Sequence, residues 1–161
     1  MLIHPIPPLF DKNSKTLILG SFPSVKSRES TFFYGHKQNR FWQVIANIFG
    51  KEIPQTVKNK KHLILSNNLA LWDVIGKCEI EGSADSSIRN VTANDLTIIL
   101  NNAPIERIFV NGKTALKYYD KFILPLINRP AILLPSTSPA NAVYTLDRLI
   151  DEWKVIKSPI R

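Results

Sequence analysis

Leu17-Ile18-Leu19-Gly20-Ser21-Phe22-Pro23-Ser24, followed shortly by Tyr34-Gly35-His36-Lys37-Gln38-Asn39-Arg40-Phe41-Trp42, is the passage that decides the fold. From Thr16 the side chains run apolar and stop at Gly20 and Ser21, the pattern of a central strand covered on both faces. The second half is a polar loop entering an aromatic-rich helix. Phe41, Trp42, Val44, Ile45, Ile48 and Phe49 recur at helical spacing, and Gly50 closes that helix. A strand that empties into a backbone-rich loop, with uncommitted polar side chains beyond it, is where an open α/β sheet places a ligand. The expectation is a nucleotide-holding loop in which Asn39 does the chemistry.

Upstream, Pro5, Pro7 and Pro8 predict an extended lead-in. Residues 22–38 read as one long connection, a length that usually marks function. Downstream, a helical stretch opening at Pro54 carries a basic face of Lys58, Lys60 and Lys61, and Leu69 to Ile75 reads as a second strand. Thr92-Ala93-Asn94-Asp95 resembles a capping box for a helix reaching about Asn101. Ile105 to Val110 is a third strand, Thr114 to Phe122 a helix, and Ala131 to Leu134 a fourth strand. Ser138 and Pro139 read as N-cap and first position of a closing helix, with Val143, Leu146, Leu149, Ile150 and Trp153 as its buried stripe.

Strands alternating with helices predict a mostly parallel sheet with helices on both faces. The polar clusters Gly20–Ser24, Asp73, Asn111–Lys113 and Pro135–Ser138 each follow the C-terminal end of a strand, so they converge on one edge of that sheet.

The 161 residues suit one domain, 1–161, and the net charge of +8 favours a polyanion partner. No apolar run is long enough to span a bilayer, and Met1-Leu2-Ile3-His4-Pro5 lacks the signal-peptide pattern. The single cysteine, Cys78, excludes an intramolecular disulfide framework and a four-cysteine cluster, so a reducing, cytoplasmic setting is expected.

Several of the chemical assignments stay open on the residues alone. Gly20–Ser24 is either a ligand-approaching loop or a plain turn. Pro135-Ser136-Thr137-Ser138-Pro139-Ala140-Asn141 offers three hydroxyls and helix N-terminal amides for a phosphate, and its prolines stiffen it as a wedge. Asn39 has an oxygen that can orient water and a nitrogen that can donate, or it caps the following helix. That weak group suffices where the leaving group departs largely by itself, as in N-glycosidic cleavage. Asp73 reads a base edge or pairs with a Lys or Arg. Asp85 caps its segment or borders the site. Lys113 touches phosphate or is solvated, and Phe33 and Tyr34 stack on an extruded base or pack beneath the loop.

Taken together, the first loop, Tyr34–Trp42, Leu71-Trp72-Asp73-Val74, Phe109-Val110-Asn111-Gly112-Lys113 and Pro135–Asn141 resemble the uracil-DNA glycosylase superfamily, most nearly its hypoxanthine-DNA glycosylase branch. The resemblance implies an α/β fold, a three-layer α/β/α sandwich around a four-stranded parallel sheet. It also implies a metal-independent, cofactor-free, monofunctional repair enzyme that flips a deaminated base from DNA and hydrolyses its glycosidic bond. Related branches carry a water-activating Asp or Asn in the first loop. Ser21 or Phe22 holds that place here, as in the hypoxanthine branch, whose catalytic Asn before Arg-Phe-Trp corresponds to Asn39. The expected base pocket is Gly20, Ser21, Phe22, Pro23, Tyr34, His36, Asp73 and Asn111. The expected DNA contacts are Ser24, Lys113, Ser136, Thr137, Ser138, Pro139, Ala140 and Asn141, in a monomer with no membrane partner. The alternatives are a uracil or G·T-mismatch glycosylase, a non-catalytic nucleic-acid-binding homologue, and a hydrolase of free nucleosides.

Overall fold

Every residue of strand β2 (Thr16–Gly20) is buried, as its unbroken apolar run demands. In the computed structural model, which describes residues 1–157, β2 lies inside a four-stranded parallel sheet. Its neighbours are β3 (Leu69–Asp73) on one side and β6 (Arg107–Asn111) on the other, with β7 (Ile132–Leu134) beyond β6. The expected four-stranded parallel sheet is therefore present.

Connectivity sets where helices lie. From β2 the chain passes through α1 (Val25–Ser30), α2 (Phe41–Ile48) and α3 (Val57–Ser66) to reach β3. It then crosses back over β2 to β6 and moves outward through α5 (Lys113–Tyr118) and α6 (Leu124–Ile127) to β7. Right-handed crossovers in opposite directions put these two groups of helices on opposite faces. The final helix, α7 (Leu146–Trp153), returns to the first face, where Trp153 meets Phe41 of α2 edge to face at 5.9 Å. The direction of winding reverses between β2 and β6, so the crevice at their C-terminal ends is the sheet's switch point.

A second sheet was not foreseen. β1 (Leu2–Ile3), β4 (Ile75–Glu79) and β5 (Arg89–Ala93) form a three-stranded antiparallel sheet in the order β1-β4-β5. The expected strand through Ile75 instead ends at Asp73, and Ile75 begins β4. Register shifts on either side of Lys77 break the alternation that would have marked β4. The Thr92–Asp95 capping box is likewise overturned, because Thr92 and Ala93 pair with Lys77 and Ile75 in β5. Asp95 accepts only locally, from the amide and hydroxyl of Thr97, and the helix that follows, α4, spans just Thr97–Leu100.

Two further expectations shift. The connection 22–38 contains α1, capped by Ser24, whose hydroxyl accepts from the Ser27 amide. The extended lead-in is packed as well as extended, since Leu9 forms a bridge with Leu71 and covers the edge of β3. The described residues contain no helix long and apolar enough to cross a membrane.

Candidate active site

A cavity of about 590 Å³ opens at the switch point. All four strand-end clusters reach it: Gly20, Ser21, Phe22, Pro23 and Ser24 after β2, Asp73 at the end of β3, Asn111 at the end of β6, and Ser136 to Ala140 after β7. Tyr34, His36 and Asn39 line it from the loop before α2. Two expected residues stand apart. Lys113 is exposed at the start of α5 and does not line the cavity, nor does Asn141, whose side-chain Nδ2 donates to Ser136 O.

Asn39 is not the N-cap of α2, a position held by Arg40 with no side-chain cap bond, but lies one residue before it. Its Oδ1 accepts from the Phe41 amide at 3.0 Å, which anchors the first turn of α2, and from the Thr137 hydroxyl at 2.8 Å. A carboxamide oxygen has two lone pairs, so both are spent and the group left to face the cavity is the Nδ2 donor. The assignment is unambiguous because a backbone N–H can only donate. Thr137, wholly buried, is held in turn by Asn111, whose Nδ2 donates to the threonine hydroxyl and whose Oδ1 accepts from its amide, each at 3.0 Å. One chain of hydrogen bonds thus ties the end of β6 and the loop after β7 to Asn39.

Gly20 forms the floor. A Cβ there would lie 3.1 Å from the Tyr34 hydroxyl and would collide with Asp73 Oδ1, so glycine is what lets both oxygens face this point. Tyr34 holds a left-handed backbone, φ 51°, which is costly for an aromatic residue, and its ring stacks on Phe41 at 4.0 Å. Burial, reinforced by the Asp73 charge, pushes its phenol pKa well above the ordinary value, so it remains an O–H. Asn111 Nδ2 donates to that oxygen at 3.3 Å. Phe33 follows the packing alternative, buried edge to face against Phe32.

Among the described residues Asp73 pairs with neither Lys nor Arg. Its Oδ2 meets His4 Nε2 at 2.6 Å, and both side chains are almost fully buried. The Ile6 amide donates to His4 Nδ1 at 3.1 Å, so Nδ1 carries a lone pair and the ring proton sits on Nε2, directed at the carboxylate. Phe22 and Trp72 flank the imidazole edge to face. His4 is a site residue that the sequence reading missed, for nothing local marks a histidine in a proline-rich lead-in.

The rim corrects the closing-helix expectation. No helix begins at Ser138 or Pro139; α7 starts at Leu146 under a Thr145 cap, and Val143 is exposed. Arg40 braces this segment: its guanidinium donates to the carbonyls of Ser138 and Asn141 at 3.0 and 3.1 Å and also to that of Tyr144. The carbonyls of Ser138 and Asn141 also accept from the amides of Asn141 and Tyr144, three residues on, so the segment runs as successive turns and not as a helix. The hydroxyls of Ser136 and Ser138 are also committed, accepting from the amides of Ser138 and Ala140. The loop is therefore a stiffened projection with Pro139 and Ala140 exposed at the cavity mouth, rather than a helix terminus with free amides.

On the opposite rim Asp85 borders the cavity and does not cap its segment, since the N-cap of the short 3-10 turn Asp85–Ser87 is Ala84, with no side-chain cap bond. Ser21 Oγ donates to Asp85 at 3.2 Å. Its surroundings raise its carboxyl pKa, desolvation most and the Asp73 charge last, against the lowering effect of Ser21 and Thr114. Among the described residues no three His, Cys, Asp or Glu are grouped to hold a metal ion.

Comparison with known proteins gives a consistent neighbourhood. The sequence model of the uracil DNA glycosylase superfamily matches residues 7–157. The hypoxanthine DNA glycosylase of Methanosarcina acetivorans is 32% identical over 158 residues, covering 97% of this chain and 98% of that one. Its namesake from Methanosarcina barkeri is 32% identical over 137 residues, covering 84% and 85%. A solution NMR structure of a Methanosarcina acetivorans protein, described as a presumptive uracil DNA glycosylase, superposes with a TM-score of 0.81 at 30% identity, covering 97% and 98% of the two chains.

Proposed function

The chain belongs to the uracil DNA glycosylase superfamily, and from that premise we propose that it excises hypoxanthine from deoxyinosine in DNA, with Asn39 as the catalytic residue. It is a DNA glycosylase acting on deaminated bases. The observation that carries the finer reading is the commitment of Asn39 Oδ1 to Phe41 and Thr137, which leaves one fixed amide donor in a cavity at the switch point. About 590 Å³ falls in the range of small-molecule pockets and accommodates a purine.

The geometry assigns work to each wall. The nucleotide leaves the duplex, since its glycosidic bond is out of reach inside the stack. Pro139 and Ala140, on the loop that Arg40 stiffens, press toward the space it vacates. The base enters against Gly20, and Asn39 Nδ2 donates toward the charge that gathers on the departing base as the bond lengthens. A prepositioned donor of this kind stabilises the transition state without reorganising. Water completes the hydrolysis at the sugar carbon, and the free base and an abasic site are released.

The test uses duplexes with a single deoxyinosine, deoxyuridine or G·T mismatch, followed by alkaline cleavage at abasic sites. Nicking at deoxyinosine well above the other two is the expected result. Preferential cleavage at deoxyuridine or G·T would reassign the substrate, and tight binding with no nicking would make the chain a non-catalytic binder. Release of hypoxanthine from free deoxyinosine, with none from DNA, would point to a nucleoside hydrolase.

A further inference from the structure

We propose that Asp73 Oδ1 and the Tyr34 hydroxyl form an acceptor–donor pair over Gly20 that selects bases by their lactam edge, and that His4 positions Asp73 for it. The inference deepens the glycosylase reading above and rests on it. Both oxygens crowd the point that a Gly20 side chain would fill, on the floor of the cavity. Each has one role left to play.

Asp73 spends Oδ2 on His4 Nε2–H, 2.6 Å away, and a carboxylate has only acceptors to offer at its other oxygen. Tyr34 oxygen accepts from Asn111 Nδ2, which leaves its O–H proton to donate. The phenol keeps that proton because burial and the Asp73 charge oppose its loss. Acceptor beside donor complements a ring N–H adjacent to a C=O, the pattern that hypoxanthine, xanthine and uracil all present. Adenine and cytosine present the reverse, a bare ring nitrogen beside an amino group, and leave both protein groups mismatched. Deamination is the reaction that turns the second pattern into the first, so the pair reads the damage itself. Guanine and thymine share the lactam edge, and their exclusion falls to other parts of the cavity.

His4 touches no base. It acts through Asp73, and its ring is fixed on three sides: Ile6 N–H holds Nδ1, while Phe22 and Trp72 flank its faces. Without it the carboxylate is free to rotate, and Oδ1 loses its aim. The left-handed backbone of Tyr34 fits the same purpose, a strained conformation held where an O–H must be presented.

The experiment measures single-turnover excision from duplexes carrying deoxyinosine, deoxyuridine or deoxyadenosine, together with thermal melts, for Tyr34→Phe, His4→Ala and His4→Gln. Tyr34→Phe keeps the ring on Phe41 and deletes only the donor. The expected loss on deoxyinosine is about tenfold to a hundredfold, the scale of one unpaired buried group, with a reduced preference over deoxyadenosine. His4→Ala moves the same ratio, and His4→Gln, whose amide N–H reaches toward Asp73, restores most of it. A His4→Ala that lowers the melting temperature and slows every substrate equally would make His4 merely structural and overturn its role. An unchanged inosine-to-adenosine ratio in Tyr34→Phe would overturn the pair while leaving the glycosylase reading intact. If the wild type excises no base at all, that reading fails instead, and the pair is then judged by binding of free hypoxanthine against free adenine. Shifts of the Gly20 and Asp73 amide resonances report it, and equal affinity overturns the inference.

Discussion

Asn39 serves two masters, and the division between its two side-chain atoms makes its role separable by substitution. Asn39→Asp keeps an oxygen for the Phe41 amide and the Thr137 hydroxyl but removes the Nδ2 donor. A carboxylate at the start of α2 also suits the helix dipole, so the melting temperature is expected to hold or rise. Excision of hypoxanthine is expected to fall by about a hundredfold or more, the scale of losing a prepositioned donor. Asn39→Ala loses both functions and should be destabilised by about 1 kcal/mol, the scale of a lost hydrogen bond, with excision down by about tenfold to a thousandfold. Melts read beside single-turnover rates check both variants. Near-normal turnover in Asn39→Asp would mean that the oxygen, and not the nitrogen, does the chemistry. The asparagine and its place before an aromatic helix were legible in the sequence. Which of its atoms is free was not, because that depends on Thr137, 98 residues away.

Among the elements, the segment after β7 departs most from its sequence pattern, and one side chain, Arg40, braces it at three carbonyls. Ser138-Pro139 is a good helix start by local preference, yet the carbonyls of Ser138 and Asn141 close turns with the amides three residues on, and Arg40 donates to both and to that of Tyr144. Its own amide also donates to Thr137 O at 3.1 Å. Arg40→Ala is expected to leave the parallel sheet intact while loosening the loop. Amide hydrogen exchange across 138–144 should rise, and DNA affinity should drop by about tenfold, the scale of one to two kcal/mol. Arg40→Lys offers one point charge in place of a planar fork and should recover little. Unchanged exchange in Arg40→Ala would mean that the loop is held by other contacts. Strands β4 and β5 were illegible for a different reason. Bulges interrupt the period of β4, and β5 is polar and largely exposed, so neither leaves an apolar alternation to read.

For the whole molecule, the reversal of winding between β2 and β6 gathers four loops on one edge. The chain as a whole carries a net charge of +8, while the loop amides and hydroxyls beside the cavity are largely satisfied within the protein. Affinity for DNA should therefore draw on Lys and Arg side chains and fall steeply with salt as counterions are released. Raising salt from about 50 to 200 mM should weaken binding by about tenfold or more, measured by fluorescence anisotropy on a deoxyinosine duplex. A flat response would count against a DNA substrate. The sequence alone determined the parallel sheet, the aromatic helix α2 and the sheet edge where the site lies. These follow from burial periodicity and from turn residues at strand ends, which are local signals. Only the tertiary structure decided that His4 meets Asp73, that Arg40 bonds to the loop after β7 and that Asn39 is left with a free donor. Those contacts join residues 69, 104 and 98 positions apart, and side-chain hydrogen bonds over such separations leave no periodic trace in the chain.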